Sequence, residues 1–452
     1  MVGLSLTTLL ALSTVALAAP RPDDYNNNQE GGDDNNDNVG RITKNIKNIV
    51  VLVEENRSFD TFAGGLTYNK NIDGLIGKSY CNPVNASDPT SGVACSKPIA
   101  EDVSPDDPNH GISGVNYELF GTFHPDEAAV AAGKLPETMQ GFVTEQASVY
   151  KTTNVSRAAE AINYYTQDQI RVFAAMAENY VLFDRWFSAV PGPTNPNRAY
   201  LTSGTSHGHG RNDNDFNIAN IPVKSIFQQL SEKGVSWINY SNTTGFQPDA
   251  LFYQWTVSSG AATKNIKSLS QFYTDAAAGK LPQFTYINPE CCSYQSFHPP
   301  SAITEGESFI KKIYEALRAS PQWEETLFIL TFDENGGFGD HVPPPVHVPA
   351  GDSLTYSEKA PDGKNITFDF TRLGVRVPTL LISPWVDKGI VEKKGRNNGG
   401  EYSHTSLVGF IENFFGMSKL TSRVSWSATF EHLITNKLRR DTPKTLPNAY
   451  PF

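Results

Sequence analysis

The stretch Ile49-Val50-Val51-Leu52-Val53, followed at once by Glu54-Glu55-Asn56, decides the fold prediction for this chain. A continuous β-branched and aliphatic run is typical of a strand that is buried on both faces, as in parallel sheets covered by helices. Similar apolar runs predict further strands at Tyr180–Phe183, Phe284–Ile287, Leu327–Phe332 and Val377–Ile382.

Helical patterns lie between these runs, at Ala158–Asn179, Ile303–Ala319 and Ser406–Phe415. Strands that alternate with helices predict an α/β fold, a doubly wound sheet flanked by helices. Ligands of such sheets bind beyond the carboxyl ends of the strands, where the polar residues that follow the apolar runs fall. We interpret residues 69–121 and 256–281 as inserted loops or a small cap.

The N-terminal sequence predicts export of the protein. Residues 1–18 combine an apolar run with the small-residue pattern Ala16-Leu17-Ala18, which is typical of a cleaved signal peptide. Residues 19–44 read as a disordered, acidic Asn/Asp-rich spacer, and residues 45–452 as one domain. We therefore predict a secreted, extracellular protein without a transmembrane segment. An N-terminal membrane anchor is the alternative, but the apolar run is short for a bilayer.

Charge and cysteine content agree with an extracellular enzyme or binding protein. The 452 residues carry a formal net charge of -11, which argues against a nucleic-acid partner. Disulfides persist outside the cytosol, and we expect Cys81 and Cys95 to pair. The adjacent Cys291 and Cys292 could form a bridge with each other, pair with other cysteines or remain free thiols, and the sequence does not decide among these.

Glycosylation is predicted at the sequons of Asn85, Asn154, Asn239, Asn242 and Asn365, whereas the sequon of Asn56 is expected to be buried.

Oxygen ligands follow two of the predicted strands. Glu55 and Asn56 end the first, and Asp333 and Glu334 end the run at 327–332. Carboxylate and amide oxygens suit one divalent cation, with Ca, Mg, Mn and Zn all open. The alternative is that these residues only cap turns. A Gly-rich stretch after each pair favours the metal site.

Pro191-Gly192-Pro193-Thr194 predicts a rigid loop that enters a helix. A Thr194 hydroxyl at this position would meet unpaired backbone N–H groups, and a nearby cation would lower its pKa and make it a nucleophile. A simple helix cap is the alternative. Loop histidines can donate to an anionic oxygen or protonate a leaving group near neutral pH, and the candidates are His110, His298, His341 and His404.

Together these residues resemble one known family. The matching segments span roughly residues 45–416 and are Glu54–Asp60, Pro191–Arg198 with Ser203–Thr205, Phe297–Pro300, Phe332–Pro345 and Ser403–Ser406. They resemble the phosphoesterase family of bacterial and fungal phospholipases C and acid phosphatases, within the alkaline-phosphatase-like superfamily. The resemblance implies an alkaline-phosphatase-like α/β fold, a catalytic domain over residues 45–452 and a metal-activated Ser or Thr that is transiently phosphorylated.

The resemblance also implies individual roles. Thr194 would be the nucleophile and a metal ligand, and His298 would bind phosphate and act as acid, with His110 as a second such histidine. The remaining metal ligands would be Glu55, Asn56, Asp333 and Glu334. Substrate contacts would come from Asn56, Asn197, His341 and His404. Two positions depart from many relatives, because Asn335 replaces a histidine and Gly339 an aromatic residue. The loss of a histidine at position 335 could alter protonation of the leaving group or the choice of substrate.

The sequence is compatible with three functions. The Pro-Gly-Pro-Thr stretch favours a phospholipase C that acts on phospholipid diesters with transient contact to a membrane surface. An acid phosphatase on soluble monoesters is the alternative, and an inert secreted binding protein is the choice from another class. A lipid substrate predicts an apolar rim, for which core packing is the competing explanation of the candidates Trp186, Phe187, Phe252, Tyr253 and Trp255.

Overall fold

A computed structural model describes residues 39–40, 42–88, 90–104, 106–242, 248–290, 295–395 and 400–452. The predicted signal peptide, most of the predicted spacer, and Cys291 with Cys292 lie outside the described residues. Residues 42–45, at the end of the predicted spacer, are helical, and Ile42 is buried in the core.

Fourteen strands occur in the described part of the chain. They are β1 (Asn48–Glu54), β2 (Cys81–Pro83), β3 (Val93–Cys95), β4 (Val181–Phe183), β5 (Trp186–Phe187), β6 (Trp237–Ser241), β7 (Ile266–Lys267), β8 (Phe284–Asn288), β9 (Thr326–Phe332), β10 (Tyr356–Lys359), β11 (Asn365–Phe368), β12 (Thr379–Ile382), β13 (Ile390–Glu392) and β14 (Tyr402–Ser403). The pairs β2/β3, β5/β14 and β10/β11 form separate small sheets.

The remaining eight strands form one sheet in the order β13-β4-β12-β9-β1-β8-β6-β7. Strand β1 lies inside the sheet and runs parallel to both neighbours, β8 and β9. Only β12 among these eight strands runs against its neighbours. Every residue of β1 and β9 is buried, because helices cover both faces. The predicted α/β fold with a mostly parallel sheet is confirmed, and all the predicted strands belong to this sheet.

Helices connect the strands. Their bounds are Phe59–Ala63, Ile112–Phe120, Glu127–Ala131, Phe142–Val149, Val155–Ala159, Arg171–Asn179, Thr194–Ser203, Asn214–Asn217, Ile226–Lys233, Gln254–Ser258, Ala261–Asn265, Leu269–Ala277, Ile303–Ala319, His404–Phe415 and Ser422–Trp426. The helix at Ile303–Ala319 has the predicted bounds, and the one predicted at Ser406 begins two residues earlier at His404.

The single helix predicted at Ala158–Asn179 is wrong. The chain forms the helix Val155–Ala159, a 3-10 turn at Glu160–Ile162 and, after an interruption, the helix Arg171–Asn179. Glu307 explains why the second helix begins at Arg171, because its carboxyl group accepts hydrogen bonds from the backbone N–H groups of Val172 at 2.7 Å and Phe173 at 3.0 Å. A side chain from a distant helix thus caps these otherwise unpaired N–H groups, which local sequence cannot show.

The two predicted insertions differ in the structure. Residues 256–281 contribute β7 to the central sheet, so they are not a cap. Residues 69–121 contain the β2/β3 hairpin, which the disulfide between Cys81 and Cys95 closes as predicted.

The predicted apolar rim is also wrong. Trp186, Phe187, Phe252 and Tyr253 are at most 1% exposed and pack in the interior, and Trp255 packs against the core. Asn239 is fully buried as well, and its amide bonds Asn288, so this sequon lies where a glycan has no room.

Candidate active site

The carboxyl ends of β1 and β9 lie side by side, because Glu54 pairs with Phe332 in the register of these strands. The polar residues that follow both strands therefore meet at one edge of the sheet. The backbone N–H of Asn56 donates to Asp333 Oδ1 at 3.2 Å, and the backbone N–H of Asp333 donates to the Glu54 carbonyl at 2.9 Å. The two pairs predicted to share a cation do lie together.

Asn56 and Gly336 interlock the two loops. Asn56 has a positive φ of 58°, a region that asparagine tolerates better than most residues. Gly336 also has a positive φ, and a Cβ atom there would lie 2.6 Å from the Asn56 carbonyl oxygen. The close approach therefore requires glycine.

Arg198 connects the two acidic loops to the helix Thr194–Ser203, and sequence reasoning missed its role. Its Nη2 donates to Glu55 Oε1 at 2.9 Å, and its Nε donates to Asp333 Oδ2 at 3.0 Å. Its Nη1 reaches Asp249 Oδ2 at 3.4 Å. All four side chains are almost completely buried. The signal was the i,i+4 spacing from Thr194 to Arg198, which places both residues on one face of a helix.

Thr194 is the first residue of this helix and is 2% exposed. The expectation of unpaired N–H groups beside it needs correction. The Asn195 N–H donates to Asn212 Oδ1 at 2.7 Å, residue 196 is a proline, and the Asn197 N–H faces the Pro193 carbonyl at 3.5 Å. The N–H groups of Asn195 and Asn197 are therefore committed within the protein, so the predicted contact with an anion cannot come from these two groups.

Asn197, predicted to bind substrate, is instead bonded to the loop that carries Thr194. Its amide nitrogen donates to the carbonyls of Val190 at 3.1 Å, Gly192 at 2.8 Å and Pro193 at 3.2 Å. Its Oδ1 accepts the Val190 N–H at 3.0 Å. The side chain thus fixes the loop, and Thr194 with it.

His110 and His298 face one another across the same loops, with ring centroids 6.3 Å apart. The Nδ1 of His110 bonds to the Pro108 carbonyl at 2.7 Å, and the Nδ1 of His298 bonds to the Pro299 carbonyl at 2.6 Å. Each Nδ1 therefore carries the proton, and each Nε2 is left for other partners. His110 Nε2 lies 3.9 Å from Glu334 Oε1, and His298 Nε2 lies 3.9 Å from Asp107 Oδ2.

Asp107 is a further residue that sequence reasoning did not single out. Besides its approach to His298, its Oδ1 accepts from Asn56 Nδ2 at 3.4 Å and lies 3.8 Å from His110 Nδ1. Its side chain is 38% exposed, so the group reaches solvent. Asp107 therefore joins the amide of Asn56 to both histidines, and only the folded chain shows this.

Burial is the largest influence on the pKa values of the acidic and histidine side chains in this site. Desolvation raises the pKa of Glu55 and of Glu334 to about 8 and also raises the pKa of Asp333, although Arg198 lowers those of Glu55 and Asp333. Burial lowers the pKa of His298. Burial alone would lower the pKa of His110 too, but the carboxylates of Glu334 and Asp107 raise it overall. The two neighbouring imidazoles therefore differ in proton affinity.

His404 lies behind the acidic pair. Its Nε2 bonds to the Asp333 carbonyl, and its Nδ1 accepts from the Trp186 indole at 3.4 Å. Burial lowers its pKa to about 3, so it stays neutral. Both ring nitrogens are used inside the protein, which makes His404 a support of the strand end and not the substrate contact that was predicted.

His341 belongs to a neighbouring network. Its Nδ1 bonds to Asp60 Oδ2 at 2.6 Å, and its Nε2 lies 3.3 Å from Asp73 Oδ1. The buried guanidinium of Arg376 holds Asp60 at 2.9 Å and Asp340 at 3.0 Å. This network ties the segment after Asn56 to the segment after Glu334, and the imidazole that was predicted to touch substrate is occupied by the network.

The predicted metal ligands offer acceptor atoms that suit a cation. Asn56 Oδ1 and Glu334 Oε1 are buried and have no hydrogen-bond partner in the described part of the chain. Asp333 accepts from Arg198 and from the N–H groups of Asn56 and Glu334, while a carboxylate has about four acceptor positions. Unpaired buried acceptors are costly unless a cation or donor meets them, so these residues fit a divalent ion.

Other carboxylate and imidazole groups also lie close enough to hold an ion. Three groups have ligand atoms within 4.8 Å of one another: Asp107, His110 and His298; Asp60, Asp340 and His341; His209, Asp213 and Asp215. The first group borders Glu334 and is part of the same site. The others are engaged in ion pairs of their own.

Asn335 and Gly339, the two positions at which the resemblance implies a departure, both have defined local contacts. The Asn335 amide donates to the Phe338 carbonyl at 3.0 Å, so this residue shapes its own loop. A Cβ atom at Gly339 would lie 2.8 Å from Ile162 Cγ2, which leaves no space for an aromatic side chain.

Comparison with known proteins identifies the class. The model of the phosphoesterase family matches residues 46–418. The chain is 38% identical to non-specific phospholipase C6 of Arabidopsis thaliana, over 90% of this chain and 76% of the relative. It is 37% identical to non-specific phospholipase C5 of the same plant, over 89% and 77%. Non-hemolytic phospholipase C of Pseudomonas aeruginosa is 26% identical, over 83% and 54%.

This chain belongs to the phosphoesterase family and is a hydrolase of ester bonds. Among solved structures, a protein of the alkaline phosphatase superfamily from Vibrio parahaemolyticus is similar, with 10% identity, a TM-score of 0.35 and coverage of 57% of this chain and 63% of that one. In the described residues, no helix has both the length and the hydrophobicity needed to cross a bilayer.

Proposed function

We propose that this protein is a secreted phospholipase C that hydrolyses phospholipid phosphodiesters through a phosphorylated Thr194. The observation that carries the proposal is the helix of Thr194, whose Arg198 bonds both Glu55 and Asp333. The same helix begins at Thr194, one turn before Arg198. The names of the similar plant and bacterial proteins support the substrate class.

One divalent cation is proposed to bind Glu55, Asn56, Asp333, Glu334 and Thr194. The unpaired acceptors of Asn56 and Glu334 support this assignment. The cation would supply positive charge that lowers the pKa of the Thr194 hydroxyl and attracts the phosphate.

Individual residues of the chain are then proposed to carry out the separate steps of the reaction. Thr194 attacks phosphorus in line as the alkoxide, the bond from phosphorus to the glycerol oxygen breaks, and the phosphorylated head group stays bonded to Thr194 as a phosphothreonine diester. The Asn56 amide, already turned toward Asp107, donates to a phosphate oxygen. Water then attacks this phosphorus, the bond to the Thr194 oxygen breaks, and the phosphorylated head group leaves as the hydroxyl is restored.

The histidine pair is proposed to handle the leaving group. His298 and His110 each present Nε2 to the site, since their Nδ1 atoms are bonded to backbone carbonyls. The raised pKa of His110 beside Glu334 keeps a proton available for a phosphate oxygen. His298, protonated on substrate binding, donates to the departing alcohol.

The test is hydrolysis of phosphatidylcholine and of p-nitrophenyl phosphate by the purified protein and by Thr194→Ala. We expect phosphatidylcholine to be the better substrate, and Thr194→Ala to lose about 10³-fold or more in kcat. Acid quenching of the wild-type reaction with phosphatidylcholine should yield phosphorylcholine on the peptide that contains Thr194. Full activity of Thr194→Ala would exclude the nucleophile, and preference for the monoester would indicate an acid phosphatase.

A further inference from the structure

A largely apolar cavity of about 540 Å³ lies beside the loop of Asp107 and His110. It lies between the helices Ile112–Phe120, Phe142–Val149 and Val155–Ala159 and the turn that follows β2. The volume is typical of small-molecule sites, roughly 300–1,000 Å³. The apolar side chains that line it are Val84, Tyr117, Phe123, Ala147, Val155 and Ala158.

The cavity is joined to the active site through one helix. Glu145 lines the cavity and accepts a 2.7 Å hydrogen bond from Asn109, the residue before His110. At the end of the same helix, the Tyr150 hydroxyl accepts the Asp107 N–H at 2.8 Å. The helix Phe142–Val149 therefore forms a wall of the cavity and also holds the loop that carries two residues of the site.

Aliphatic side chains are exposed on the elements that form the cavity. Val149 and Val155 are each 42% exposed on the two helices, and Val93 is 64% exposed on the hairpin strand that pairs with β2. Exposed apolar groups that border an apolar cavity are typical of a site for a hydrophobic ligand. Polar side chains, among them Thr144 and Thr152, also line the cavity, so a ligand there would contact both kinds of group.

We propose that this cavity binds an acyl chain of the phospholipid whose phosphate is hydrolysed at Thr194. The inference rests on the proposed function, because it assumes that the substrate is a glycerolipid. Burial of each methylene group adds favourable free energy, so the cavity favours long-chain lipids over esters without chains. It also predicts a preference for diesters of diacylglycerol over soluble monoesters.

The test compares two esters with the same head group, dioctanoyl phosphatidylcholine and p-nitrophenyl phosphorylcholine. Ala147→Phe fills the cavity from the helix Phe142–Val149, and Val155→Trp fills it from a position that is already half exposed. We expect the ratio of kcat/KM for the lipid to kcat/KM for the chain-free ester to fall at least tenfold in both variants. Ala277→Phe, an exposed helical alanine that does not line the cavity, is the matched control and should keep the wild-type ratio.

An unchanged ratio in both variants would overturn the proposal, whether kcat/KM keeps its wild-type values or falls equally on the two esters. Binding of dioctanoylglycerol, measured by calorimetry, provides a readout that needs no turnover. Its dissociation constant should rise at least tenfold in Ala147→Phe. Tight binding that depends on Ala147, in a protein that hydrolyses neither ester, would support the cavity and refute the proposed function. Because the sequons of Asn85 and Asn154 border the cavity, the protein is freed of N-glycans first.

Discussion

Arg198 Nε lies 3.0 Å from Asp333 Oδ2, so the helix that begins at Thr194 is bonded directly to the strand end that carries the acidic pair. The same guanidinium reaches Glu55 and Asp249. The single buried guanidinium of Arg198 thus compensates three buried carboxylates, and the proposed divalent ion would share two of them, Glu55 and Asp333, with it.

Arg198→Met should destabilise the protein strongly, because it leaves Glu55, Asp333 and Asp249 buried without their cation. Removal of one partner from a buried ion pair costs about 3–5 kcal/mol. Urea unfolding followed by circular dichroism measures the change. Arg185→Met is the control, since Arg185 and Glu401 form a partly exposed pair at 3.4 Å, worth less than about 1 kcal/mol. Equal losses in the two variants would contradict the assigned role of Arg198.

Asn197→Ala should reduce kcat about 10²-fold with little change in KM, because the loop before Thr194 loses its three carbonyl bonds and the hydroxyl is displaced. Steady-state kinetics on p-nitrophenyl phosphorylcholine measures both constants. The exposed Asn217, changed to alanine, is the control. A large rise in KM at constant kcat would instead support the direct substrate contact that the sequence predicts.

Removal of divalent ions by a chelator should abolish activity, and Glu334→Gln should weaken metal binding at least about tenfold, since an amide is a poorer ligand for a hard cation than a carboxylate. Metal content after dialysis against graded metal buffers gives the affinity. Glu324→Gln, at an exposed glutamate, serves for comparison. Full activity in the presence of chelator would argue against a metal-activated hydroxyl.

The pH dependence of stability should contain a contribution from Glu307. Burial raises the pKa of this carboxyl from 4.5 to about 8. Between these values the native protein binds more protons than the unfolded chain, so the contribution is complete below about pH 4.5 and is lost as the pH rises toward 8. Glu307→Gln should therefore flatten the fall of the unfolding free energy over this range. Urea titrations from pH 5 to pH 8 measure it, and parallel curves would contradict the assignment.

The strands and the meeting of the acidic loops could be predicted, because β1 and β9 are continuous apolar runs whose carboxyl ends must share one edge of a parallel sheet. The residues that complete the site could not. Asp107 approaches His298 across 191 positions of sequence, and no local pattern encodes that contact. The bond from Glu307 to Val172 likewise divides a helical pattern that looks continuous in the sequence.

The histidines also separate what the sequence can predict from what only the folded structure shows. A loop position was enough to select His110, His298, His341 and His404, but not to rank them. The partners of each imidazole separate the pair with a free Nε2 from His341 and His404, whose nitrogens are bonded within the protein. Hydrogen-bond occupancy, a tertiary property, thus decides which histidines remain available for chemistry.

The contact between Gly336 and Asn56 limits which residues this chain can accept at position 336. Any side chain at Gly336 would meet the Asn56 carbonyl oxygen at 2.6 Å and displace the amide that we propose as a metal ligand, although Gly336 has no side chain of its own in the site. In a library of random variants, position 336 should therefore be as intolerant as the ligands. We then expect diversity in substrate choice from elements that do not touch this contact, such as the β2/β3 hairpin, where an exposed side chain like Val93 can change without moving the acidic loops.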